Sequence, residues 1–301
     1  MNSLNFKHSI IFFNLCILMS PIYQQLNYAL IILCLFSILI VGISHGALDN
    51  IKGEKLFKLL GLNSIFLFYF GYIFISLLII FIWLILPNVI LLIFLMVASY
   101  HFGKEDTVFK VKKKFPLNEF LFFFKGSSVI IAPLLFQRES TNEIFATLNF
   151  YVFENSFFND FSLIFFLLLS FFSSVYLSAD KSINLKSIMI LDYFSIIILN
   201  LFLTPILAFT IYFCFLHSVR HSFNLINEMD RSFRRGLRKF IKKALPLTLV
   251  TGLIFLISIY FLKNLYKIDE AIYKVIFIGL ASLTFPHILL EYLLEKNEKR
   301  T

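Results

Sequence analysis

The feature that most restricts this chain is a succession of unbroken apolar runs about as long as a bilayer is thick. They fall at about 9–23, 26–45, 62–86, 88–102, 119–136, 159–178, 187–203, 205–221, 244–263 and 271–290. About 20 apolar residues cross the hydrocarbon core once as a helix. Hydrophobic residues make up 59% and charged residues 15% of the 301, and mean hydropathy is +0.86. A soluble domain holds about 25% charged residues and cannot hide so much apolar surface. The runs lack the alternation of a membrane β-barrel and are too long for its strands. A helix is then the only element that satisfies the backbone in lipid. The expectation is an all-α, polytopic transmembrane helical bundle of about eight to ten spans. It forms one integral membrane domain over residues 1–301, without repeat or Gly/Ser-rich linker. The first two runs, around Pro21, and the seventh and eighth, around Thr204 and Pro205, each read as a tight hairpin or one distorted element.

Basic residues orient the bundle, because Lys and Arg in short loops stay on the cytoplasmic side. They cluster at Lys52, Lys55 and Lys58, at Lys104 to Lys114, and at Arg231 to Lys243. The loops after runs one, three and seven have none, and the longest, about 137–158, sets Arg138 against Glu139, Glu143 and Glu154. Both termini are expected in the cytoplasm, with an even number of spans. The net charge of +9 is therefore a topology signal, and nucleic acid is not an expected partner. The first run is read as a retained helix, not a cleaved signal. Cys16, Cys34 and Cys214 are odd in number and without C-x-x-C spacing, so neither a disulfide nor a metal role is assigned.

Ionisable groups inside a helical membrane protein are costly and mark function. Apart from His8, the histidines are His45, His101, His217, His221 and His287, on runs two, four, eight and ten. In the expected topology these runs cross in one direction and bring five imidazoles to one membrane depth. Residues four apart share a helix face, so His217 and His221 can present two imidazoles to one metal. The same interval joins His45 to Asp49, His101 to Glu105 and His287 to Glu291. Such acids can take the second N–H of a ligand imidazole. Neutral imidazoles suit zinc, copper, iron and nickel, and the lack of thiolates argues against a structural zinc or an iron–sulfur cluster. The residues alone leave a non-haem iron and a bis-histidine haem equally open.

The segments Gly42-Ile-Ser-His45-Gly-Ala-Leu-Asp49, Ser99-Tyr-His101-Phe-Gly-Lys-Glu-Asp106, Tyr212-Phe-Cys-Phe-Leu-His217-Ser-Val-Arg-His221 and Phe285-Pro-His287-Ile-Leu-Leu-Glu291 resemble the motifs of the Brp/Blh family. Its members are membrane-bound β-carotene 15,15'-dioxygenases that form retinal. The resemblance runs over about residues 42–291, with Ser44 standing where proline is common. It implies an iron(II) enzyme of the cell (inner) membrane that uses dioxygen to split the central double bond of β-carotene into two retinal molecules. His45, His101, His217 and His221 would be catalytic iron ligands. His287 is a fifth motif histidine that would support them or face the substrate, Asp49, Glu105 and Glu291 are candidate supports by their spacing, and Tyr100 and Tyr212 are candidate contacts to the polyene. Substrates would enter from membrane lipid, and a retinal-binding rhodopsin is a candidate product acceptor. The alternatives are a haem-binding electron carrier and a diiron oxygenase acting on another lipid. A retinal-binding pump needs a lysine deep in a late span, whereas Lys125, in run five, is placed to snorkel to the interface.

Overall fold

The computed structural model of the protein describes residues 2–21, 28–62, 64–111 and 116–298, with Asn2, Tyr28 and His45 described by backbone alone. It is 88% helical and, among the described residues, has no strand. Nine helices among those residues are long and apolar enough to cross a membrane, and Ser3–Met19 is a shorter apolar helix. The all-α membrane bundle expected from the apolar runs is what forms. The turn between the first two runs lies outside the described residues.

In chain order the helices are α1 (Asn2–Met19), α2 (Tyr28–Ser37), α3 (Asp49–Leu59), α4 (Ile65–Ile85), α5 (Pro87–Glu105), α6 (Leu117–Phe136), α7 (Arg138–Thr147), α8 (Asp160–Ser178), α9 (Ile183–Phe202), α10 (Pro205–Ile211), α11 (Val219–Met229), α12 (Phe233–Leu262) and α13 (Ile268–Glu298). A π-helical turn, Ile38–Gly42, and a 3-10 turn, Ile43–Leu48, link α2 to α3, and a second π segment, Tyr212–Ser218, links α10 to α11. Both lie within long apolar helical stretches, Ala29–Leu59 and Pro205–Met229. Runs seven and eight are separate helices, because Leu203 and Thr204 are extended and Pro205 opens α10, where its missing N–H costs nothing.

Several helices overrun the apolar stretch that announces them. The basic segment from Arg234 to Lys243, expected as loop, forms the first turns of α12, and α13 continues past His287 to Glu298. Lys and Arg are good helix formers, so charge ends the membrane layer without ending the helix. The stretch 137–158, expected as a loop, holds α7 and two 3-10 turns. Ile144 and Phe145 are buried there, and Phe145, Phe150 and Phe153 stack edge to face or tilted within 5.5 Å between centroids.

The helices gather into two compact units, each drawn from two stretches of chain. The first comprises 1–38 and 95–221. In it α6 packs along α8, and α1 along α9. Small residues let the backbones close. Ser127, Ser128, Ser170, Ser174 and Ser178 are buried, and the Ser170 hydroxyl donates across the helices to the Lys125 carbonyl at 2.8 Å. A Cβ at Gly103 would overlap the Phe122 carbonyl, and one at Gly126 would overlap the Ser99 carbonyl, so reciprocal glycines let α5 and α6 touch backbone to backbone. Such small-residue contacts stand in for the hydrophobic effect where the surroundings are lipid.

The second unit comprises 39–94 and 222–301. Its 3-10 turn packs on α12 through Ala47, Leu48, Leu225, Ile226, Phe240 and Ala244, while Leu56, Phe68 and Leu290 join α3, α4 and α13. Elsewhere α4 and α12 leave Phe66, Phe70, Phe74, Leu84, Leu249, Leu253 and Phe261 exposed. Faces this apolar belong against acyl chains rather than water.

Candidate metal centre

In the first unit the site begins with α5. His101 lies on its last turns, 6% exposed, and Asp106 follows its final residue, equally buried. The π segment supplies Tyr212, His217 and Ser218, all buried, and α11 begins with Val219, Arg220 and His221. The rings of His101 and His217 stand edge to face with centroids 5.3 Å apart. Phe213 stacks on His217 at 5.8 Å and Phe102 meets it edge-on at 4.9 Å, so the imidazole is gripped on several sides by apolar rings.

One carboxylate organises this region. Asp106 Oδ1 lies 2.9 Å from His217 Nδ1, and Oδ2 accepts the Tyr212 hydroxyl at 2.6 Å. An ionised carboxylate only accepts, so His217 donates from Nδ1. Lys125 does not snorkel outward. It is buried, donating to the Gly103 carbonyl and the Thr107 hydroxyl at 3.1 Å each. Asp106, Lys125, Asp192 and Tyr212 all line a small cavity of about 20 Å³, room for a single water.

The motif that carries His217 and His221 also holds Arg220, one of the largest fully buried side chains. Its guanidinium reaches Asp192 at 2.6 and 3.0 Å and the Ser9 hydroxyl at 2.8 Å, tying α11 to α9 and α1. Arg is suited to this because its planar fork matches a carboxylate through two hydrogen bonds. His8 donates from Nε2 to the Phe215 carbonyl at 2.8 Å, satisfying a backbone acceptor in the π segment. That segment is held from several sides although its own hydrogen bonding is irregular.

The second unit builds a matching arrangement from other helices. Asp49, at the start of α3, faces His287 Nδ1 on α13 at 2.8 and 2.9 Å, and Tyr72 on α4 donates to the same carboxylate at 2.9 Å. His287 Nε2 lies 3.5 Å from Glu291 one turn on, and Glu291 accepts from Lys52 at 2.7 Å. His45 is in the 3-10 turn, with its side chain outside the described residues.

Two of the acids are set on imidazoles that their spacing does not pick out, Asp49 on His287 and Glu105 3.5 Å from His221 Nδ1, and Glu291 lies 3.5 Å from the histidine one turn before it. Asp106, which the spacing does not single out, supports His217. Tyr100 donates to Glu119 at 2.5 Å, and Tyr212 is 2% exposed. The signal for Asp106 was present in its motif, five residues after His101, but five is not a helical contact interval and the partnership crosses between helices.

This geometry sits within a span, residues 36–295, that matches the family model for beta-carotene 15,15'-dioxygenase. The chain belongs to that family. A curated relative from an uncultured marine bacterium, 66A03, named beta-carotene 15,15'-dioxygenase, is 28% identical over 273 residues, covering 87% of this chain and 94% of its own. No solved structure matches. Family membership makes the chain an oxygenase enzyme, and the nine apolar helices among the described residues make it a multi-pass membrane protein.

Proposed function

We propose that this dioxygenase-family protein holds iron(II) and uses dioxygen to cleave β-carotene at the 15,15' double bond, releasing two molecules of retinal. The proposed ligands are His45, His101, His217 and His221. The observation that carries the reading is the pairing of His101 and His217 in the first unit, with the Asp106 carboxylate on His217 Nδ1. A metal-ligating histidine almost always gives its other N–H to such a partner. The donor set suits iron, since imidazoles bind it and all three cysteines are buried free thiols. Bound iron supplies the dioxygen chemistry that no side chain here provides.

The protein's contribution is position and dryness. The Asp106 carboxylate accepts a hydrogen bond from Nδ1, which would leave Nε2 to hold the iron. Phe102 and Phe213 pin the ring and exclude water, and the same apolar surroundings accept a polyene. The exposed apolar faces of α4 and α12 sit in acyl chains, the phase from which β-carotene would arrive. Tyr100, half-buried, is the proposed polyene contact. Asp49, Glu105, His287 and Glu291 are proposed as support. The basic clusters favour both termini in the cytoplasm, and the inner membrane is the proposed location, where a rhodopsin could receive the product.

A haem carrier would need two axial imidazoles on either side of a macrocycle, an arrangement that His101 and His217, edge to face at 5.3 Å, do not have as they stand. The deciding experiment is expression in a β-carotene-producing host, with retinal measured by chromatography and metal content measured on purified protein. Retinal, about one iron per chain and no Soret band are expected. His217→Ala and His221→Ala should each lower retinal by at least about 100-fold, beyond what loss of a supporting residue costs. Carotenoid bleaching without retinal would reject central cleavage, and two irons per chain would favour a diiron oxygenase.

A further inference from the structure

Asp106 stands at a junction. It follows α5, the helix that carries His101, and reaches across to His217 in the π segment, with its second oxygen held by Tyr212. Reciprocal glycines lock α5 against α6 at Gly103 and Gly126, so the end of α5 cannot drift from its neighbour. The carboxylate is therefore fixed on the side of the backbone and on the side of its partners. With Oδ1 engaged by His217 and Oδ2 by Tyr212, it is placed to orient a ligand rather than to become one.

The geometry points to Asp106 as the positioning residue that sets the tautomer and ring angle of His217, with the Tyr212 hydroxyl as its support. This deepens the iron reading above and rests on it. It separates three roles within two motifs, since His101 and His217 would bind the metal, Asp106 would aim one of them, and Tyr212 would steady the aim. Tyr212 is thereby taken out of the set of polyene contacts, in keeping with its burial and its engaged hydroxyl.

The test is metal affinity, read apart from turnover. Purified protein, stripped and titrated with Co(II) as a spectroscopic stand-in for iron(II), should show visible d–d bands with imidazole coordination. Asp106→Ala is expected to weaken Co(II) and iron(II) binding by about 10- to 100-fold and to shift the d–d bands, the range typical of a lost outer partner. Tyr212→Phe, which removes one oxygen and keeps the ring, should weaken binding about threefold, a fraction of the outer-partner effect. Asp106→Glu should recover part of the affinity. Ile144→Ala, which empties part of the α7 packing in the same unit, controls for loosening of the fold and should lower the thermal midpoint with little change in the bands. If Asp106→Ala fails to fold, Tyr212→Phe and Asp106→Glu carry the test. Unchanged affinity and bands in the Asp106 and Tyr212 variants would overturn the proposal, as would an equal loss in Ile144→Ala. A wild-type protein that binds neither metal would instead overturn the iron reading itself.

Discussion

His217 and His287 are supported alike and surrounded differently. Each gives Nδ1 to an aspartate that also accepts a tyrosine hydroxyl, Asp106 with Tyr212 in one unit and Asp49 with Tyr72 in the other. Beyond that shared frame they diverge. The ring of His217 lies among Phe102, Phe213 and the His101 imidazole. His287 is bracketed by carboxylates, with Asp49 on Nδ1 and Glu291 3.5 Å from Nε2, and Lys52 closes the group on Glu291. Carboxylates beside both ring nitrogens make His287 part of a charged cluster with Lys52. An apolar cage and a second imidazole favour a metal ligand. A histidine's support does not fix its role until the surroundings of its other nitrogen are known.

The comparison can be broken most decisively by exchanging the two losses. His217→Ala should leave the purified protein with less than about a tenth of the wild-type iron, in line with losses on removing even outer partners. His287→Ala should keep most of the iron and instead lose stability, by about 3 kcal/mol, because Asp49 would remain buried beside a missing partner. Metal analysis and thermal unfolding of the two variants side by side give the answer. Equal iron loss in both would place His287 among the ligands.

A smaller contrast separates the helix contacts of the two units. A Cβ at Gly103 meets backbone atoms of Phe122 and Gly126, which cannot yield without moving α6. At Gly53 it meets the ring of Phe68, which can swing. Gly103→Ala should cost about 3 kcal/mol and Gly53→Ala about 1 kcal/mol, the upper and lower ends of the overpacking range, read as the difference in thermal midpoint. The reverse order would mean that the α5–α6 contact is looser than its geometry indicates.

How much of this was legible beforehand depends on the range of the contact. The spans were readable from the apolar runs because lipid imposes one rule over 20 residues at a time. Helix ends were not, since the arginines and lysines of α12 mark the membrane boundary and continue the helix. Periodicity sees neighbours on one helix, so it found Glu291 beside His287 and could not find Asp49 there, 238 residues away. The same limit hid Asp106 behind His217. Lys125 was misread for a related reason, because its acceptors are a carbonyl and a hydroxyl on another segment. The motif resemblance marked the right stretches without saying which acid serves which imidazole.

The smallest expected effect lies outside the membrane, at the turn between α11 and α12. Asp230 accepts from Lys239 at 2.8 Å and from the Ser232 N–H at 2.9 Å. These bonds, the lysine first, hold its carboxyl down to about 2 from an ordinary 3.8. A depressed carboxylate pKa stabilises the fold above the unfolded value and is lost as the carboxyl protonates. Its contribution should be complete above about pH 4 and disappear as pH falls through about 2. Hydrogen exchange at this turn in wild type and Asp230→Asn should converge at the acid end, while the metal centre is unaffected.

The π segment at Tyr212–Ser218 has a cost that points the other way from every substitution above. A π turn is an α-helix carrying one surplus residue, a form retained mostly where function needs it. Excising a single residue between Pro205 and Tyr212 would let the helix relax into regular winding. It would also remove the bulge that sets the ring of His217 against His101 and Asp106. Here a more comfortable backbone and the present placing of His217 are alternatives, and the chain has kept the less comfortable one.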